Sequence, residues 1–227
     1  MATTEPNDRG EPVAVELIAH RAGNHAGGVD EVSGRADTVE LDVRIDRRRL
    51  VVRHARRLWF TDRLWEKWYL LPPQTPVLAF ADAAAAVDDD LGLWVDCKGI
   101  GPRIPRRALA EIGSRSGLTV SSKAWWMLGS VPTAWPDGRP VRVVRSVSNR
   151  FELFLLRFLP SRVQIDGVVA HSRLLEGRLV QGLRERYGTV FSWSIPDAAT
   201  GRLLASWGVQ GLIIDDPEVM DELRQIW

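Results

Sequence analysis

The sequence predicts an α/β protein, a single-domain (β/α)₈ TIM barrel, and three observations carry that expectation. Apolar, β-branched runs recur eight times along 227 residues. Amphipathic stretches closing on glycine separate the later runs, as helices do. Strands alternating with helices build a parallel sheet, and a 45% hydrophobic chain of this length suffices to fill one closed barrel of eight such units.

The opening stretch 1–12, MATTEPNDRGEP, reads as a disordered tail before a barrel spanning 13–227. It has neither the basic start nor the apolar middle of a signal peptide, and no apolar run is long enough for a bilayer, so a cytoplasmic location is expected. The strands follow as VAVELIA (13–19), TVELDV (38–43), LWVDCK (93–98), LTVSS (118–122), VRVVRSV (141–147), DGVVAH (166–171), TVFSWSI (189–195) and GLIID (211–215). ADAAAAV (81–87), RRALAEIGSRSG (106–117), RLLEGRLVQGLRERYG (173–188) and AATGRLLASWG (198–208) supply helices between them. FELFLLRFLP (151–160) reads as a buried helix or a lid helix, with an entry for an acyl chain as its functional alternative. One region breaks the rhythm: 47–76 holds a short extra strand at 50–53 and then a Trp- and Arg-rich excursion ending in prolines. Long insertions after a barrel strand carry substrate-binding elements, so this one is expected to form a lid over the site. Its mixture of aromatic and basic side chains also suits an interfacial segment that touches a membrane peripherally.

Composition narrows the chemistry. Thirty Lys and Arg against 29 Asp and Glu leave a net charge of +1, which gives no global field for nucleic acid. Cys97 is the only cysteine, so an internal disulfide and a cysteine-based zinc site are excluded. It reads as a small hydrophobe packing outward.

Polar residues at the C-terminal ends of barrel strands read as functional, because the site of such a barrel gathers there. Strand one ends at His20 and Arg21, strand two carries Glu40 and Asp42, the short strand leads to His54, and strand three carries Asp96 and Lys98. Alternate residues share a face, so Glu40 with Asp42, and Asp96 with Lys98, project inward while Leu93, Val95 and Cys97 pack outward. Three carboxylates suit a hard divalent cation, magnesium or calcium. Arg21 and Lys98 add fixed positive charge, and an anion bridging metal, guanidinium and ammonium is most simply a phosphate. Two histidines beside it can divide general acid and general base duties. The constellation describes phosphodiester cleavage.

AHRAGN, ELDV, VVRH, VDCK and GVQGLIIDDP, in that order from about 13 to 217, resemble the glycerophosphodiester phosphodiesterases. That family's pattern runs H-R, E-x-D, a second H, E-x-K and a final G-hydrophobic-T-D-x-P. The resemblance implies that His20 and His54 are the catalytic acid/base pair, that Glu40, Asp42 and Asp96 bind the metal, and that Arg21 and Lys98 contact phosphate. Trp193, in FSWSI, matches a tryptophan that walls the pocket. The chain departs from the family at Asp96, where glutamate is usual, at Ala55 after the second histidine, and at Ile214 in the closing motif. The P-E-N-T segment is missing, and the glycine-rich loop in its place predicts a truncated first helix.

The leading expectation is a metal-dependent hydrolase taking a small glycerophosphodiester to glycerol phosphate and an alcohol, a reaction of glycerol and lipid metabolism. The alternatives are a lysophospholipase D, with the Trp-rich insertion as acyl contact, and a non-catalytic barrel holding a phosphorylated ligand. His25 and His171 are expected to be structural or exposed. Arg53, Arg56 and Arg57 either attract an anionic substrate or solvate the surface.

Overall fold

The apolar runs form strands and the glycine-closed stretches form helices. The structure, a computed structural model, describes residues 14–58, 63–66, 69–72, 75–101, 103–158 and 164–227; the 1–12 tail expected to be disordered lies outside them. Strand β1 (Glu16–Ala19) leads through a 3-10 turn at Ala22–Asn24 and a short helix α1 (Gly28–Val32) into β2 (Thr38–Asp46). The truncated first helix is thus realised as five residues.

β2 rises past the barrel, and its last residues pair antiparallel with β3 (Arg49–Val52). Arg47 (φ 44°) and Arg48 (φ 68°) close that hairpin with two consecutive left-handed residues, a turn that Asn-Gly adopts more readily. The insertion then folds as β4 (Arg56–Arg57), β5 (Leu64–Glu66) and β6 (Tyr69–Leu70), a separate antiparallel sheet, before β7 (Leu78–Ala79) returns to β3. Helix α2 (Phe80–Ala85), β8 (Gly92–Cys97), α3 (Arg103–Ile112) and β9 (Leu118–Ser122) follow. A 3-10 turn at Trp125–Ser130 connects β9 to β10 (Val141–Val147). The rest alternates regularly: α4 (Arg150–Phe158), β11 (Gly167–His171), α5 (Gly177–Tyr187), β12 (Thr189–Trp193), α6 (Ala198–Ser206), β13 (Gly211–Ile214) and α7 (Pro217–Arg224). β1 pairs in parallel with both β13 and β2, which closes eight parallel strands into a barrel.

Boundaries moved where local chemistry intervened. The strand expected over 189–195 stops at Trp193 because Ser194 takes a positive φ of 64°. The helix expected from 106 starts at Arg103, since Pro105 is tolerated in a first turn, and it stops before Gly113 at φ 71°. Of the 151–160 segment, 151–158 is helical and 159–160 lie outside the described residues; α4 is not a buried helix, since Phe151, Phe154 and Phe158 are 68%, 54% and 65% exposed and Leu156 alone of its residues is buried. The Tyr187 hydroxyl donates to the Leu156 carbonyl at 2.5 Å and fixes that face inward, so the phenylalanines are left on the other stripe.

Two apolar layers hold the barrel. The larger lies between strands and helices. Inside, Ile18, Trp94, Val144, Val169, Phe191 and Ile213 fill the barrel below its mouth, with Trp94 meeting Phe191 edge-on at 4.9 Å. Fully burying a side chain of this kind stabilises a fold by about 1.5–3 kcal/mol. Gly211 makes room for the plug, because a Cβ there would lie 2.4 Å from the Phe191 ring. Among the described residues no helix is long and apolar enough to cross a membrane.

Candidate active site

The site grows from the register of β2 and β8. Asp42 stands opposite Asp96 across that parallel pair, and Glu40 lies two residues below on the same inward face. All three are buried, and each offers a carboxylate oxygen within 4.8 Å of the others. Asn24, delivered by the turn after β1, grips Asp42 twice: its Nδ2 donates to Oδ2 at 2.9 Å, and its Oδ1 accepts from the Asp42 amide at 3.0 Å. Ser121 donates to Asp96 Oδ1 at 2.9 Å and accepts from Trp94 Nε1 at 2.8 Å, which ties the carboxylate to the barrel plug.

The two expected cations lean on these acids. Arg21 turns the chain with a left-handed φ of 56°, donates its amide to Glu40 Oε2 at 2.8 Å, and sets Nε 3.0 Å from Asp42 Oδ2. Lys98 Nζ lies 2.8 Å from Asp42 Oδ1 and also pairs with Asp96.

Both histidines are backed by a carboxylate through Nδ1, which leaves Nε2 for a substrate. His20, whose amide is held by the Ile214 carbonyl at 2.9 Å, pairs with Asp215 Oδ1 at 2.5 Å. His54 follows β3 and pairs with Glu66 from β5, while its carbonyl accepts from Arg44 Nε at 3.0 Å. His20, His54 and Asp215, with Trp193 as a wall, help to line a cavity of about 380 Å³ at the C-terminal mouth.

Electrostatics divides the acids and bases. Burial, then the charge of Asp42, pushes the Glu40 carboxyl up to about 7. Burial acts against Asp42 as well, yet Lys98 and Arg21 outweigh it and hold that carboxyl at about 2. Burial alone would discharge the Lys98 ammonium, but Asp96, Asp42 and Glu40 raise its pKa well above the ordinary value. Burial also opposes charge on His20, and the Asp215 hydrogen bond and Glu40 more than compensate, so its pKa is raised. His54 is lowered by burial, then by Arg21 and Lys98.

All eight residues singled out in the sequence therefore meet at one mouth: His20, Arg21, Glu40, His54, Asp96, Lys98 and Trp193 line the cavity, and Asp42 lies beneath them. His25 is exposed, 3.7 Å from Glu31. His171 packs against Trp193 with its ring tilted 55° and the centroids 4.4 Å apart, and Cys97 is buried on the outward face. Arg53 and Arg57 do not wait for an anionic substrate, because both are ion-paired to Asp46, at 3.1 and 2.7 Å. Arg56 is exposed and lies over Trp65. Sequence reasoning missed Asp215, Glu66, Asn24, Ser121 and Lys123, the last of which also lines the cavity. Asn24 and Asp215 sit inside motifs already quoted, so their position was visible although their partners were not.

No protein-family model matches the sequence, and no curated protein matches it. Solved structures do match. The chain is similar to a glycerophosphodiester phosphodiesterase from Thermotoga maritima, with 18% identity, 92% of this chain and 98% of that one covered, and a TM-score of 0.69. A phosphodiesterase from Oleispira antarctica, in complex with the product sn-glycerol-3-phosphate, aligns with 16% identity, 93% and 97% coverage, and a TM-score of 0.69. A glycerophosphodiester phosphodiesterase from Parabacteroides distasonis gives 15% identity, 93% and 97% coverage, and 0.64. At such identities the likeness is one of fold, and it extends over nearly the whole barrel.

Proposed function

We propose that this chain is a metal-dependent phosphodiesterase of the glycerophosphodiester phosphodiesterase type, releasing glycerol phosphate and an alcohol. One observation carries the reading: two carboxylate-backed histidines face three clustered carboxylates, an arginine and a lysine across a single cavity. The activity of the structural neighbours supports the reaction class, and the product bound to the Oleispira antarctica phosphodiesterase supports glycerol phosphate as the product here.

Glu40, Asp42 and Asp96 would hold the divalent ion, magnesium or calcium; their oxygens are close enough to share one cation, and an all-oxygen set suits a hard ion. Such an ion, when bound, polarises a phosphoryl oxygen as a Lewis acid. Arg21 and Lys98 would bind phosphoryl oxygens and stabilise charge developing there. His54, whose lowered pKa favours the neutral ring, accepts at Nε2 the proton of the nucleophile, either water or the neighbouring glycerol hydroxyl. His20, whose raised pKa favours the imidazolium, donates from Nε2 to the leaving alcohol. Environments that push two titratable groups apart in this way assign the acid and the base. Trp193 walls the pocket and excludes water from one side.

Release of glycerol phosphate from a panel of glycerophosphodiesters, with magnesium, with calcium and with chelator, tests the reading. Activity is expected with one of the metals, lost in chelator, and reduced about 10²–10⁴-fold by His20→Asn or His54→Asn. Full activity in His20→Asn overturns the acid/base assignment. No release from folded, metal-loaded protein overturns the glycerophosphodiester substrate and favours the phosphate-binding barrel. A second reading, a lysophospholipase D, is favoured by the apolar side chains exposed around the mouth, and a rate on lysophospholipid exceeding that on the deacylated diester would select it.

A further inference from the structure

We propose that the mouth of the barrel docks on the surface of an anionic phospholipid bilayer. Large apolar side chains are exposed unevenly on this molecule. Tyr69 and Leu70 lie in the small sheet that is tied to the mouth through Glu66 and His54. Ile100 follows β8, Trp126 follows β9, and Phe151 opens α4 after β10; they are 76%, 64% and 68% exposed. All five therefore belong to connections leaving the C-terminal ends of successive neighbouring strands, along one rim of the cavity. Helices α3, α5 and α7 on the barrel wall expose no large apolar side chain; elsewhere Phe154 and Phe158 continue the stripe of Phe151 along α4, and Leu203 on α6 and Ile226 and Trp227 after α7 stand apart. Bulky apolar groups standing singly are ordinary on a surface, but their concentration around one opening marks an interface.

Charge selects the occupant. The hairpin between β2 and β3 rises beyond the barrel on the same face and presents exposed Arg48 and Arg49, with Arg48 held in a left-handed conformation that glycine adopts at less cost. Arg56 and Arg150 are exposed beside the apolar rim. Aromatic and aliphatic groups interleaved with arginine match a lipid headgroup layer carrying negative charge. A second copy of this chain would instead set arginine against arginine. Docking of this kind would present the cavity to a diester still seated in the bilayer, but it is read without turnover and so stands apart from the catalytic reading.

The test is co-sedimentation of the full chain with vesicles of phosphatidylcholine alone and of phosphatidylcholine mixed with phosphatidylglycerol. Binding to the mixed vesicles is expected, weaker on phosphatidylcholine and weakened by raised salt. Combined Trp126→Ser and Phe151→Ser is expected to lower the partition coefficient about tenfold or more, and combined Arg48→Glu and Arg49→Glu to do the same for anionic vesicles only. Leu203→Ser, exposed on α6, is the control and should change nothing. Turnover of a water-soluble diester should be unaltered in every rim variant, which separates failed docking from failed chemistry. No binding to anionic vesicles, equal loss in the Leu203 control, or lipid-free dimerisation abolished by the rim variants would each overturn the proposal.

Discussion

Glu40 is the most perturbed carboxyl in the site: it is buried beside an Asp42 that stays ionised, and its pKa is pushed up from 4.5 to about 7. Between pH 4.5 and 7 the folded chain keeps a proton that the unfolded chain has released, so stability falls as pH rises through that window and is flat above it. The expected loss is on the order of 3 kcal/mol in chelator. His20 adds a decline of the same sign above its ordinary 6.5, and His54 opposes it, so the comparison of wild type with Glu40→Gln isolates the carboxylate. Denaturant melts from pH 5 to 8 check this: E40Q should flatten the curve, and magnesium or calcium at pH 8 should restore the wild type. Parallel curves for the two proteins would remove Glu40 from the account. The acids themselves were legible in the sequence, because period-two alternation puts Glu40 and Asp42 on one face whatever the rest of the chain does.

The insertion reaches into the candidate site and is more than a cover. β5 carries Glu66 to His54, and Asp46 at the end of β2 clamps Arg53 and Arg57 so that the small sheet is anchored to the rising hairpin. Glu66→Gln is expected to lower kcat about 10–100-fold with KM nearly unchanged, since the carboxylate orients the ring and not the substrate. Glu66→Asp should recover part of the loss. Steady-state kinetics on the favoured diester checks both, and unchanged kcat in E66Q would return the sheet to a covering role. The sequence marked this excursion as a lid but gave no sign of Glu66, because its partner lies twelve residues away and no periodicity announces the pairing of the short strands β4 and β5.

Across the whole molecule the barrel plug and the site are one structure. Trp94 packs on Phe191 below and holds Ser121, which holds Asp96 above. Phe191→Ala is expected to cost about 3–5 kcal/mol through the cavity it leaves. Gly211→Ala alone should cost about 1–3 kcal/mol by overpacking. Their effects should not add, because a methyl 2.4 Å from the ring clashes only while the ring is there. Urea unfolding of the two single variants and the double variant measures this coupling, and simple additivity would dissociate Gly211 from the plug.

The sequence by itself determined the strand order, the inward face of each functional strand and hence the residues that meet at the mouth, since alternation and element order are local properties of the chain. Only the tertiary structure decided their partners. His20 finds Asp215 across 195 residues because β1 pairs with β13 at closure, and Asp42 meets Asp96 because of the register of β2 on β8. It also decided that Arg53 and Arg57 are taken by Asp46, and that the phenylalanines of α4 face outward. Such outcomes depend on which surfaces are already covered when an element docks, and a pattern read along one segment carries no record of its neighbours in space.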